Sequence, residues 1–259
     1  MRSSWTILAL AAAMALPATG HAEGEMSYPN EEARRWAETA LVLHKQGAES
    51  HDAAKLEEAH GYYQRYLAKY AANADVIAFY DGELLFAAKR FDEAAAAYDR
   101  SLTAAPSGAN AAKAAYAFVI ATKNVVEQDG GNANPECPGI RPCPIPPPQQ
   151  RMLTAYNRYL QIVPGGEQAP AMEYRRARLY YGFNQFETAA PLFDGVLTRY
   201  PDHELAVYSA NLEMDCYATL KRFGDLRAAI RRIKASPASR DSSVHEQVEQ
   251  LEAKLKKLP

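Results

Sequence analysis

The sequence predicts an all-α chain: a stack of about five helix-turn-helix hairpins closed by a C-terminal capping helix. Three observations predict it. First, one stretch recurs. Phe91-Asp92-Glu93-Ala94, Tyr98 and Pro106 return as Phe186-Glu187-Thr188-Ala189, Phe193 and Pro201. In each copy an aromatic is followed by Ala, then by a second ring, then by Pro, and an echo of this kind marks stacked helical hairpins. Second, alanine is abundant while Val and Ile are sparse, and alanine loses little entropy in a helix. Third, the apolar residues between the prolines recur at helical spacing.

At 259 residues the chain has room for one large domain or two small ones. Its 29 basic and 31 acidic residues are well mixed and leave a net charge of −2. There is no basic face for nucleic acid and no acidic tail. Residues 1–22 read as an export signal. Arg2 is the positive end, Trp5 to Leu16 is the apolar run, Pro17 breaks it, and Gly20-His21-Ala22 is a small-x-small cleavage site. The run is short for a bilayer span, and no other segment is apolar enough to make one. An uncleaved anchor is the alternative reading, and the lack of a following Cys argues against a lipid anchor. The expected location is the periplasm, with secretion or outer-membrane association as the alternatives.

Residues 23–30 form a short polar lead in which Asn30 caps the first helix, with Glu31 and Glu32 at its positive end. Trp36, Ala40 and Leu43 line that helix. A break at Gly47 to Ser50 precedes a second helix carrying Leu56, Ala59, Tyr63 and Leu67. The second hairpin opens at Asp75 as N-cap and runs to about Lys89 with Gly82 and Leu85 inward. Phe91, Ala94 and Tyr98 answer them, and Pro106 closes the unit. A third hairpin begins at Ala111, with Ala115 and Phe118 inside, and is interrupted by an insertion over 128–149. Pro at the density of that insertion favours extended backbone over helix. The helix resumes near Arg151 with Met152, Tyr156 and Leu160.

In the fourth hairpin Pro170 suits the first helical turn. Ala177 and Tyr180 face Phe186, Ala189 and Phe193, while Pro191 fits only near a helix start. Asp202 is the expected cap of a helix to Thr219, and Phe223 to Lys234 completes a degenerate fifth hairpin. Over 239–259, Ser243 and Glu246 read as a capping box, and Val244, Val248, Leu251 and Leu255 give the closing helix one apolar face.

Cys137 and Cys143 stand six apart in the insertion, and an exported chain meets an oxidising compartment, so a disulfide between them is expected. A structural metal would need a second Cys or His pair that the loop lacks. Cys216 reads as a buried, inert thiol.

The small residues Gly82 and Ala94, and Ala177 and Ala189, occupy matching places in the two clearest copies. The pattern's rings are Tyr98 in one copy and Tyr180 and Phe193 in the other; Pro106, Pro164 and Pro201 close three of the hairpins, and Trp36 is a lone leading Trp. Over residues 31–238 this pattern resembles the tetratricopeptide repeat, a 34-residue helix-turn-helix unit. The resemblance implies a right-handed α-solenoid in which each pair of small residues meets and the first helices line a concave groove. One position off the packing set lie Phe79, Glu83 and Phe86, then Tyr174, Arg175, Arg178 and Tyr181, then Tyr208. By that resemblance they are the expected partner-binding residues. Phe79 and Glu83 stand where some members carry a Lys and an Asn that hold a C-terminal carboxylate, so that mode is not implied here.

With the export signal, the pattern resembles bacterial envelope repeat proteins, and a protein or peptide of the envelope is the expected partner. The alternative reading is a cell-wall or polysaccharide accessory with a small-molecule site near the Pro-rich loop. Pro142 to Pro148 as a polyproline segment docked on an aromatic groove and self-association through an uncapped end are further options. No Gly-rich phosphate loop and no HExxH occur, and His245-Glu246 lacks the second His. His44, His51 and His60 do not share one helix face, and solvated or capping histidines are expected. The expectation is a protein that is not an enzyme and takes no cofactor or metal.

Overall fold

The computed structural model describes residues 26–129 and 137–257. The expected export signal, the start of the polar lead and residues 130–136 of the insertion lie outside them. Among the described residues there are eleven α-helices and one 3-10 turn, with no strand. They fall into two compact units, Met1–Gly108 and Ala109–Pro259.

The N-terminal unit holds α1 (Glu31–Ser50), α2 (Ala53–Lys69), α3 (Ala74–Ala87) and α4 (Phe91–Ala104), each packed on its neighbour in the chain. Asn30 caps α1 as expected, its Oδ1 accepting from the Ala33 N–H at 2.9 Å. The buried face of α1 is Ala33, Ala37, Ala40, His44 and Gly47, three or four residues apart. Gly47 does not break the helix. A Cβ there would come within 2.9 Å of Leu56 Cγ, so the bare backbone lets α2 approach closely. The turn comes at His51, in the left-handed region at φ 54°, and Asp52 then caps α2.

Two histidines are structural rather than solvated. His44 is buried beside the Tyr63 hydroxyl at 3.2 Å. His60 Nδ1 sits 2.6 Å from Oδ1 of the fully buried Asp81, and Gln64 Nε2 donates to Oδ2 at 2.7 Å. These contacts join α2 to α3 through a buried carboxylate that is hydrogen-bonded on both oxygens, as burial of a charge requires.

The C-terminal unit holds α5 (Ala111–Gln128), α6 (Pro147–Ile162), α7 (Ala169–Gly182), α8 (Phe186–Arg199), α9 (Glu204–Thr219), α10 (Phe223–Ala235), a 3-10 turn (Pro237–Arg240) and α11 (Ser242–Leu255). α6 starts four residues before Arg151. Pro147 and Pro148 occupy its first turn, where a missing N–H leaves nothing unsatisfied, so proline density starts this helix instead of excluding it. Pro191 lies inside α8 on its exposed side. Val244, Val248 and Leu255 of α11 pack on α9 and α10, the expected role of a closing helix.

Three turns repeat in detail. Lys89, Asn184 and Lys221 each take positive φ (60°, 56° and 56°), two residues before Phe91, Phe186 and Phe223. In each, the next residue's N–H reaches back five residues: Arg90 to Leu85, Gln185 to Tyr180 and Arg222 to Tyr217, at 2.9 to 3.0 Å. This is the Schellman arrangement, which satisfies carbonyls that a helix end leaves open. The hairpin called degenerate from its sequence, α9–α10, turns in the same way as the two clear copies.

Three expected caps move. Asn73, not Asp75, precedes α3. His203, not Asp202, caps α9 by accepting from the Leu205 N–H at 3.1 Å. Asp241, not Ser243, caps α11 by accepting from the Ser243 N–H at 2.9 Å. Asn73 makes no side-chain cap bond, its Nδ2 donating instead to Ser27 O at 3.0 Å; for α9 and α11 a capable side chain lay within two residues of the one chosen, and chain entry selected between them. Gly82 differs in another way. The atoms nearest its open side belong to the Tyr98 ring rather than to Ala94. Ala177 and Ala189 are both fully buried in one cluster with Phe193.

Candidate partner-binding surface

The candidate residues separate into two groups, one per unit. On α3, Phe79 is only 8% exposed and packs on Tyr98 at 6.0 Å between ring centroids. Glu83 accepts from the Tyr98 hydroxyl at 2.6 Å, and Phe86 packs on Phe91 at 5.1 Å. The three are thus spent on holding α3 to α4. Burial and the Glu83 carboxylate together push the Tyr98 hydroxyl far above its usual range. Phe79 belongs to the core rather than to a groove.

The matching set on α7 is used differently. Tyr174 packs on Phe193 at 6.0 Å and Tyr181 on Phe186 at 5.3 Å, repeating the two ring pairs of α3–α4. On their other side these rings meet α9. Tyr208 lies 6.3 Å from Tyr174 and stays 54% exposed. The Tyr181 hydroxyl donates to Asp215 Oδ2. Leu212, between Tyr208 and Asp215 on the same face of α9, is half-buried in the shared cluster. Arg178 stands over the Tyr181 ring at 5.3 Å, a cation–π placement. Arg175 is half-buried near Tyr156. Burial first, then the bond to Asp215, raises the Tyr181 hydroxyl well above its ordinary range, so it stays a donor. The sequence reading named Tyr174, Arg178, Tyr181 and Tyr208 and missed Asp215, which lies seven residues beyond Tyr208 and so on the same helix face.

The result is a strip along α7 and α9, two first helices of successive hairpins. It offers one exposed ring on a rigid backing, one guanidinium and one carboxylate already engaged by a phenol. It presents no nucleophile–base pair. Among the described residues no cluster of three or more His, Cys, Asp or Glu is placed to hold a metal ion, and no helix is long and apolar enough to cross a membrane.

The insertion is docked rather than loose. Cys137 and Cys143 form the expected disulfide, with Cα atoms 6.2 Å apart. Cys216 is free and buried, and burial raises its thiol well above the usual range. Thiol titration of the denatured, unreduced protein is expected to find one reactive cysteine per chain; three would show the pair open. The Cys143 N–H donates to Phe183 O at 3.0 Å, and Ile145 packs with Leu153 and Phe183. The described part of the Pro-rich stretch therefore lies against the α7–α8 turn.

Successive hairpins with repeated aromatic pairs and a repeated turn define an all-α helical-repeat fold. Among solved structures the chain is similar to MamA from Desulfovibrio magneticus RS-1, at 13% identity over 87% of this chain and 97% of that one, TM-score 0.38. It is similar to YrrB, described as a TPR protein with an unusual peptide-binding site, at 13% identity over 86% and 94%, TM-score 0.40. A tetratricopeptide repeat protein from Parabacteroides merdae shares 13% identity over 84% and 77%, TM-score 0.34. No family model and no curated protein matches the chain.

Proposed function

We propose that this chain is an exported scaffold of the bacterial envelope that holds a protein or peptide partner on the α7–α9 strip. The observation that carries this is Tyr208, a large ring left 54% exposed while packed at a tilt against Tyr174. A ring held from behind loses little entropy when a partner covers it, which is why Tyr and Arg dominate binding hot spots. Arg178, over the Tyr181 ring on the same strip, suits a partner whose apolar side chain is followed by a carboxylate. The Cys137–Cys143 disulfide supports the export reading, since such bonds persist in oxidising compartments. Mass spectrometry of fractionated cells is expected to find the chain beginning after Ala22; residue 1 retained on the mature protein counts against export.

The binding test uses a photo-crosslinking amino acid placed at position 212, beside Tyr208, in envelope extract. A discrete adduct is expected, weakened about tenfold in Tyr208→Ala or Arg178→Ala. Both variants should keep the wild-type melting temperature within about 2 °C, because neither residue is core. Adduct of equal intensity from wild type and both variants would remove the strip as the binding surface.

A further inference from the structure

We infer that the Cys137–Cys143 ring is a thiol-sensitive clamp on the α7–α8 turn. Three consecutive turn residues, Phe183, Asn184 and Gln185, are all held by this one loop. The Asn184 side-chain amide donates toward three carbonyls, those of Gly139 at 3.0 Å, Arg141 at 3.1 Å and Cys137 at 3.4 Å. On either side of it the Cys143 N–H donates to Phe183 O and Cys143 O accepts from Gln185 Nε2, both at 3.0 Å. Alternate carbonyls of an open seven-residue segment do not converge on one point without restraint. Ring closure supplies it, and Gly139 at φ 72° supplies the bend.

The clamp is an addition to the turn, not a requirement of it. The same turn forms twice more with exposed Lys89 and Lys221 where Asn184 stands, and with the same backbone bonds. Only Asn184 is buried, at 8% exposure. Opening the ring therefore loosens the turn without removing what folds it, and this makes the device a switch. The chemistry is exchange with a dithiol. A thiolate of the dithiol attacks one Sγ, and the Cys137–Cys143 bond breaks. The dithiol's second sulfur then displaces the mixed disulfide, so two electrons pass to the pair and the reductant leaves as its own disulfide. Both cysteines are partly exposed, which admits the attacking thiolate. α7 enters this turn carrying Tyr174, Arg178 and Tyr181, so the state of the ring also sets the binding strip; that last link rests on the function proposed above.

Amide hydrogen exchange on the oxidised protein, the same protein in dithiothreitol and the Asn184→Lys variant tests the clamp with no partner present. Lysine is chosen because it already supports the sister turns. Reduction is expected to speed exchange of the Cys143 amide on the order of tenfold or more, with helical circular dichroism unchanged. Asn184→Lys should show the faster rate while still oxidised, and reducing it should add less than about twofold. The clamp is overturned if reduction leaves the Cys143 amide unchanged, if reduction has the same full effect in Asn184→Lys, or if helix content collapses on reduction. The partner link is read separately from the crosslink beside Tyr208. An adduct that persists equally in both redox states sinks the link and leaves the clamp standing, and no adduct in either state sinks the binding strip.

Discussion

Gly82→Leu is expected to lower the stability of the N-terminal unit by about 3 kcal/mol, seen as a fall of about 10 °C or more in its melting temperature. The first atom of any side chain at 82 would lie 2.7 Å from Tyr98 Cε1 and 2.8 Å from Cδ1. Tyr98 is fully buried and cannot step aside freely. Phe79 packs against its ring, and its hydroxyl is committed to Glu83 at 2.6 Å. A shift of the ring would break that bond inside the protein and strand a buried hydroxyl. The control is Gly61 on α2, where an added Cβ meets nothing within 4 Å. Gly61→Ala should stabilise the helix by a few tenths to about 1 kcal/mol through propensity alone. A double-mutant cycle with Tyr98→Ala should recover most of the loss at position 82. Equal losses at 61 and 82 would show that glycine is not kept at 82 for the ring.

The two units are expected to respond to pH in opposite directions through His44 and Glu213. Burial pulls the His44 imidazole down from 6.5 to about 4 in the folded protein. The unfolded chain takes up a proton near 6.5 and the folded one does not. Stability from His44 is therefore present above pH 6.5 and lost as pH falls toward 4, by about 3 kcal/mol.

Glu213 is the reverse case. Burial, then repulsion from Asp194, raises its carboxyl from 4.5 to about 7, against the pull of Arg232, whose Nη2 lies 2.5 Å away. Its contribution is complete below pH 4.5 and lost as pH rises through 7, again by about 3 kcal/mol. Asp81 raises the His60 imidazole, so His60 partly offsets His44: its share is present below 6.5 and lost as pH rises through the folded value. Urea melts at pH 5 and pH 8 check this. Trp36, in the N-terminal unit, follows that unit by fluorescence, and circular dichroism follows the whole chain. His44→Gln should flatten the acid loss seen by Trp36, and Glu213→Gln the alkaline loss seen by circular dichroism. Unaltered slopes in both variants would exclude these groups as the source.

The repeat was legible because its signals are short-range. The Phe91 and Phe186 copies, the buried Ala94 and Ala189 and the closing rings Tyr98 and Phe193 fall where their spacing places them. The α9–α10 turn was harder to read. Glycine is the usual sign of a left-handed helix end, and here lysine holds that conformation at Lys221 because the 6→1 backbone bond stabilises it. Caps were misplaced where His203 and Asp241 competed with Asp202 and Ser243 over one or two residues, a contest that local propensity does not resolve.

Helix, hairpin and the small-against-large packing rule follow from neighbours three to eight residues apart, and a chain met as letters displays those. Which ring ends up covered does not. Phe79 and Tyr174 hold the same register, yet the first is buried and the second backs an exposed Tyr208. Beside Tyr174 it is α9 that brings a second tyrosine, with Asp215 bonded to Tyr181 on the same helix face. The grip of residues 137–143 on Asn184 is of the same kind, since carbonyls more than forty positions away converge on one amide only once the chain has closed upon itself.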